Sequence, residues 1–137
     1  STQRTSVTLS QLRGQPVVLA FFPAAFTGGC TKEMLAYQAG IGKFENARVF
    51  GISTDNVPSL AAFAEKLNVQ FPLLSDFARR EASRAYGVLM PDRGIANRAT
   101  FVIDPEGKIA HIEEGSAAID PTGAEMACRR VRPQASR

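Results

Sequence analysis

The spacing of apolar and polar positions divides the chain into alternating strand-like and helix-like stretches. Val17 to Phe22 is a run of apolar, β-favouring residues stopped by Pro23, which has no N–H to give a sheet ladder. Beyond a small-residue loop the period lengthens. Met34, Tyr37, Ile41 and Phe44 recur three or four positions apart, which predicts an amphipathic helix whose other face carries Lys32, Glu33, Gln38 and Lys43. Gly40 and Gly42 weaken its last turn, and Asn46 falls beyond its end. Arg48 to Ser53 then reads as a second strand, far enough from the first for a parallel crossover.

Thr54-Asp55-Asn56 is a loop at the end of that strand. Asp55 or Asn56 can cap a helix that has Pro58 in its first turn, buries Leu60, Phe63, Ala64 and Leu67, and ends at Asn68. Phe71 to Asp76 gives a short strand, with Pro72 at its edge or start. Arg79 to Tyr86 reads as a short helix ending at Gly87, and Val88 to Asn97 has no period and reads as an ordered loop. Thr100 to Asp104 and Lys108 to Glu113, joined by Pro105-Glu106-Gly107, make a hairpin, and a last helix runs from Pro121 to Val131. Ahead of all this, Val7 to Leu9 reads as a short extended piece. The order predicts one α/β domain over 1–137, a central mixed β-sheet flanked by helices on both faces. The first strand begins so early that either the fold starts late or a leading segment is missing before Ser1.

Composition supports a packed core: 45% of residues are hydrophobic and 21% charged. No apolar run approaches bilayer length and no apolar secretory segment follows the start, so the expectation is a soluble, cytoplasmic protein. The net charge of +3 lies wholly in residues 121–137, where Arg129, Arg130, Arg132 and Arg137 face only Glu125. A basic tail over 132–137, without interleaved aromatics, argues against a nucleic-acid surface. Two cysteines and one histidine exclude a disulfide framework and a zinc cluster.

Cys30 carries the candidate chemistry. With Thr27 as N-cap and Gly28-Gly29 in the first turn, Cys30 sits where free N–H groups and the helix dipole favour an anion. Burial in a core is the common fate of a free cysteine. Cys30, however, follows Thr27-Gly28-Gly29 in a loop and not in an apolar periodic slot, which favours a reactive thiolate. Thr27-x-x-Cys30 is a CxxC spacing with a hydroxyl in place of the first sulfur; it closes no local disulfide but can hydrogen-bond an incoming oxygen. Gly28-Gly29 lacks the lysine of a phosphate loop. A cysteine hydrolase would need a histidine base, and His111 lies in an alternating strand pattern. A thiolate without a histidine needs a permanent cation, and the best candidate is Arg98, at the entrance to the strand Thr100 to Asp104; on pattern alone an ordinary solvated arginine fits it better.

Pro23-x-x-x-Thr27-x-x-Cys30 resembles the PxxxTxxC signature of peroxiredoxins, and Asn97-Arg98-Ala99-Thr100-Phe101-Val102-Ile103-Asp104 is similar to that family's downstream arginine segment. Phe71-Pro72-Leu73-Leu74-Ser75-Asp76 and Ala85-Tyr86-Gly87-Val88 extend the likeness, from about Val7 to Glu113. FFPAAFTGGC and GIANRATFVID are most similar to the AhpE-like one-cysteine group, then to the bacterioferritin-comigratory or Q-type group. The resemblance implies a thioredoxin-like fold and a thiol peroxidase with no cofactor, neither metal nor flavin. Cys30 would be the peroxidatic nucleophile, Thr27 would bond the peroxide, Pro23 would shield the thiolate, and Arg98 would lower its pKa and polarise the O–O bond. Glu33 would orient the arginine; its plain alternative is a favourable charge near a helix N-terminus.

Thiol chemistry then predicts attack on hydrogen peroxide or an organic hydroperoxide, release of water or alcohol, and a sulfenic acid. Position 35 is leucine where the Q-type group often has a second cysteine. Cys128, spaced with Ala124 and Val131 on an apolar face, reads as packing before resolution, so an external thiol (thioredoxin, mycoredoxin or a low-molecular-weight thiol) is the expected reductant, and the resemblance suggests a homodimer. The chain lacks the family's usual amino-terminal segment and replaces a proline-containing pair with Gly28-Gly29. A redox sensor that passes oxidation to partners by mixed disulfide shares the first chemical step and is the main alternative; a purely structural module is a third.

Overall fold

Val17–Phe21 forms β1, the middle strand of a five-stranded sheet, in a computed structural model that describes residues 12–44 and 46–131. All five of its residues are buried because the sheet is covered on both faces. Alternation along the strand divides them. Val18 and Ala20, with Phe22 just beyond, join the core formed with Met34, Tyr37, Leu60 and Phe63, whereas Val17, Leu19 and Phe21 join that of Phe50, Ile52, Val88 and Phe101. The segments 7–9 and 132–137 lie outside the described residues.

β2 (Arg48–Ser53) pairs parallel with β1, and β3 (Leu73–Ser75) pairs parallel with β2. Pro72 stands before β3, where its carbonyl accepts the Gly51 N–H at 3.0 Å while its missing donor costs nothing. Gly51 is required by close packing: a Cβ there would lie 2.6 Å from a Leu73 methyl and 3.2 Å from the Met34 sulfur. β6 (Ala99–Ile103) pairs antiparallel with β1 on its other side, and β7 (Ile109–Glu114) closes that edge, with a register slip between Val102 and Ile103. The order is therefore β3-β2-β1-β6-β7, the expected mixed sheet.

The first crossover helix, α1 (Gly28–Ala39), ends at Gly40, and Ile41–Lys43 continues as a 3-10 turn that still delivers Phe44 to the core. α2 (Val57–Leu67) is capped by Asn56, whose Oδ1 accepts the Ser59 N–H at 2.9 Å, and it ends on left-handed Asn68. α3 (Glu81–Ala85) is shorter than its sequence pattern, because Arg80 is left-handed (φ 55) and starts the helix late. The segment 88–97 is corrected from loop to hairpin: β4 (Leu89–Met90) pairs antiparallel with β5 (Ile95–Ala96). Strands of two residues are too short to express a period. A 3-10 stretch, Gly115–Ile119, leads to α4 (Thr122–Val131), which buries Ala124, Ala127 and Cys128. Among the described residues no helix is long and apolar enough to cross a membrane.

Candidate active site

Sheet topology brings distant residues to one edge. β1 and β2 are parallel, so the loops after Phe21 and after Ser53 leave the sheet on the same side. β6 runs the other way, and its register pairs Phe21 with Ala99, which sets Arg98 beside the start of the 22–27 loop. Phe22 makes the last ladder bond, its N–H donating to Ile52 O at 2.9 Å, and Pro23 ends the strand by having no N–H.

Thr27 is the N-cap of α1 in backbone geometry (φ −96, ψ 157), but its side chain does not cap. The hydroxyl instead donates to Ala24 O at 2.7 Å, which commits its hydrogen and leaves its oxygen as an acceptor at the helix mouth. Cys30 is the third residue of α1, in the turn whose N–H groups have no helical partners. Two expectations are corrected here. Cys30 lies in the first turn, as a cap at Thr27 predicts, but on its inward face and 0% exposed, not in an open loop, and Glu33 is not on the polar face but equally buried. At 100° per residue Cys30, Glu33, Met34 and Tyr37 share one face, and a carboxylate is tolerated there only because a cation meets it.

That cation is Arg98. Its Nη1 donates to Glu33 Oε1 at 2.5 Å and its Nη2 donates to Cys30 Sγ at 3.5 Å, so one planar guanidinium spans both acids. Burial works against its charge, yet the facing Cys30 and Glu33 outweigh it and hold the guanidinium more firmly protonated than usual. Glu33 also holds its proton more tightly than usual, but for a different reason: burial pushes its carboxyl up to about 7, against the pull of Arg98. Its second oxygen, Oε2, has no hydrogen-bond partner. Gly29 leaves room for this arrangement, since a Cβ there would lie 2.8 Å from Arg98 Nη2.

Two features were not read from the sequence as parts of the site. Asp55, taken only as a possible helix cap, accepts the Ala25 N–H at 2.8 Å and the Ser53 hydroxyl at 2.6 Å through Oδ2, tying the loop before Cys30 to the end of β2. The signal was present as a polar cluster at the C-terminal end of a parallel strand, the usual place for functional loops. Behind Glu33, Tyr37 is fully buried, with Thr100 as its near neighbour and its phenol pushed up chiefly by burial. Cys128 is 3% exposed in the same core as Cys30, and burial, with Glu125 nearby, pushes its thiol up to about 12. His111 lies on β7 with Nε2 3.3 Å from Glu113 Oε2. No group of three or more metal-ligating side chains occurs among the described residues.

A thiol on the first turn of a helix, faced by a guanidinium at the entrance to an antiparallel neighbour of the central strand, is a site built for thiol chemistry. A model of the AhpC/TSA family matches residues 1–112, and the chain belongs to that family, the peroxiredoxins. It is 43% identical over 111 residues to alkyl hydroperoxide reductase E of Mycobacterium tuberculosis, covering 78% of this chain and 72% of that protein. It is 41% identical over 115 residues to peroxiredoxin TSA1 of Saccharomyces cerevisiae, covering 77% of this chain but only 58% of the yeast protein. Among solved structures, peroxidoxin BcpB of M. tuberculosis superposes with a TM-score of 0.88 at 36% identity, covering 96% of this chain and 90% of that one. The bacterioferritin comigratory protein of Xanthomonas campestris superposes at 0.84 and 28% identity, covering 94% and 87%. The chain thus spans little more than half the length of the yeast relative.

Proposed function

We propose that this protein is a thiol-dependent peroxidase that reduces hydrogen peroxide or organic hydroperoxides through Cys30. The observation that carries the reading is the donor bond from Arg98 Nη2 to Cys30 Sγ at the N-terminus of α1, which sets a fixed cation and free helix N–H groups against the sulfur. The thiolate attacks one peroxide oxygen, the O–O bond breaks, and the second oxygen leaves as water or alcohol once protonated. Thr27 Oγ1, its hydrogen already given to Ala24, accepts the O–H of the incoming peroxide and orients it. Arg98 stabilises charge that shifts from sulfur toward the leaving oxygen.

The sulfenic acid at Cys30 is reduced in this reading by an external thiol, a thioredoxin, a mycoredoxin or a small thiol. Support comes from Cys128, whose buried thiol resists the ionisation that attack on a sulfenic acid requires. A cytoplasmic setting and a homodimer belong to the same reading, the latter in keeping with the half-exposed Ile109 and Ile112 on the edge strand β7. The test is intact mass after one equivalent of peroxide, followed by turnover with a dithiol. Wild type gains one oxygen at Cys30 and turns over with reductant, whereas Cys30→Ser does neither; oxidation that stalls with every thiol reductant sinks the enzymatic reading.

A further inference from the structure

Arg98 faces two acids, Cys30 and Glu33, each 0% exposed, and within ion-pair distance of Glu33 it is the one cation among the described residues. A single positive charge cannot offset two buried negative ones, and an uncompensated buried charge is costly. Among the described residues, the groups behind Glu33 add no second cation. Tyr37 on α1 feels Glu33, Glu113 of β7 and Cys128 of α4, all of them acids, and Thr100 is neutral. His111 on β7 is turned to Glu113. Of the groups that Arg98 joins, Glu33 is placed to carry a proton without breaking any bond: its Oε2 is buried and unpartnered, while Oε1 keeps Arg98.

We infer that Glu33 holds the proton while Cys30 is a thiolate, so that the thiol, the carboxyl and Arg98 bind one proton as a unit and Glu33 carries it in the reactive form. The inference rests on the peroxidase reading and deepens it. Activation moves the proton from Cys30 to Glu33, leaving Cys30 as thiolate, Glu33 as neutral acid and Arg98 as their shared cation. Attack on a peroxide then forms the S–O bond and breaks the O–O bond. The sulfur loses its negative charge, the leaving oxygen gains it, and Glu33 supplies one proton, so water or alcohol departs and Glu33 ends as the carboxylate paired to Arg98. Sulfur is oxidised by two electrons, the peroxide is reduced by two, and no proton is drawn from solvent. The elevated titration of Glu33, to about 7, agrees with a carboxyl that holds its proton near neutrality.

The experiment needs no peroxide. The reduced full-length protein is alkylated with iodoacetamide in weak buffer at mildly alkaline pH. Thiolate absorbance is read beforehand, a pH-indicator dye counts protons, and mass spectrometry confirms a single adduct at Cys30. Wild type starts as thiolate and nevertheless releases close to one proton per adduct, because loss of the thiolate charge frees Glu33 to ionise. Glu33→Gln, which keeps the oxygen that accepts from Arg98, starts as thiolate and releases none. Infrared difference spectra of wild type show a protonated-carboxyl band lost on alkylation, a readout that does not depend on the variant folding. A wild-type thiolate that releases no proton and loses no such band overturns the inference and leaves the peroxidase reading standing. Equal release from Glu33→Gln also overturns it, and a wild type without thiolate at that pH sinks both.

Discussion

The backbone N–H of Ala25 donates to the carboxylate of Asp55 at 2.8 Å, across thirty positions of sequence, and through it the loop ahead of Cys30 hangs from the end of β2. The same Oδ2 receives the Ser53 hydroxyl at 2.6 Å, and the Asp55 carbonyl receives the Ser75 hydroxyl at 2.5 Å, so three strand ends meet at one residue. Asp55→Ala removes a charge-assisted anchor and leaves the Ala25 donor unpaired, which predicts a loss of about 2 kcal/mol of stability. Urea unfolding measures the loss, and faster amide exchange at Ala25 localises it. Unchanged exchange there would show that the loop is held by other contacts.

Arg98 is the second target. Lysine has one ammonium and cannot span Cys30 and Glu33 as the planar guanidinium does. Stopped-flow oxidation of Arg98→Lys is expected to run roughly 100-fold slower than wild type, the scale seen when one preorganised donor is lost from a charge-developing site. Near wild-type rates would move the source of reactivity to the helix N-terminus alone.

Glu33 makes stability depend on pH in a stated direction. Its folded-state carboxyl is raised from 4.5 to about 7, so the folded form binds a proton more tightly than the unfolded chain does. That contribution is complete below the unfolded value of 4.5 and is lost as pH rises toward and through about 7. Urea midpoints are therefore expected to fall between about pH 5 and about pH 8 in wild type, and to fall less in Glu33→Gln. Equal slopes for the two proteins would remove Glu33 as the cause.

Cys128→Ala tests whether the second cysteine only packs. The loss of a buried sulfur from the core predicts a cost of about 1 kcal/mol, with the first oxidation of Cys30 unchanged in rate. Non-reducing mass analysis checks the other possibility: an internal disulfide in wild type that disappears in the variant would assign Cys128 a resolving role.

Phe63 joins the core to the reactive loop, with its ring centroid 6.0 Å from Phe22 and 5.1 Å from Phe26. Phe63→Ala is expected to cost about 3–5 kcal/mol, the usual range for emptying a buried aromatic site. Because Phe26 is left-handed (φ 65) and half exposed, loss of its neighbour should also slow peroxide oxidation, which stopped-flow measurement separates from global unfolding at low temperature.

Much of the frame was legible because it is local. The buried run at Val17, the Asn56 cap with Pro58 behind it, and the hairpin around Pro105-Glu106-Gly107 each declare themselves within a few residues. The hairpin of Leu89–Met90 and Ile95–Ala96 escaped notice because two-residue strands are held by pairing and not by pattern. Glu33 was misplaced for a different reason. Helical periodicity assigns a glutamate to solvent unless its countercharge is known, and that charge stands sixty-five positions downstream. Asp55 was hidden in the same way, since what it holds is a backbone N–H that no side-chain pattern records.

The complete burial of Cys30 has a kinetic consequence. A sulfur without exposed surface meets a solute only when the groups packed over it shift, so at high peroxide the oxidation rate should stop rising with concentration and level off at the frequency of that shift. Below this ceiling the reaction is second order, and above it the protein sets its own tempo. Substitutions that tighten the tie between Ala25 and Asp55 would lower the plateau without altering the chemistry at sulfur, and would shield the sulfenic acid from a second oxidation by the same factor.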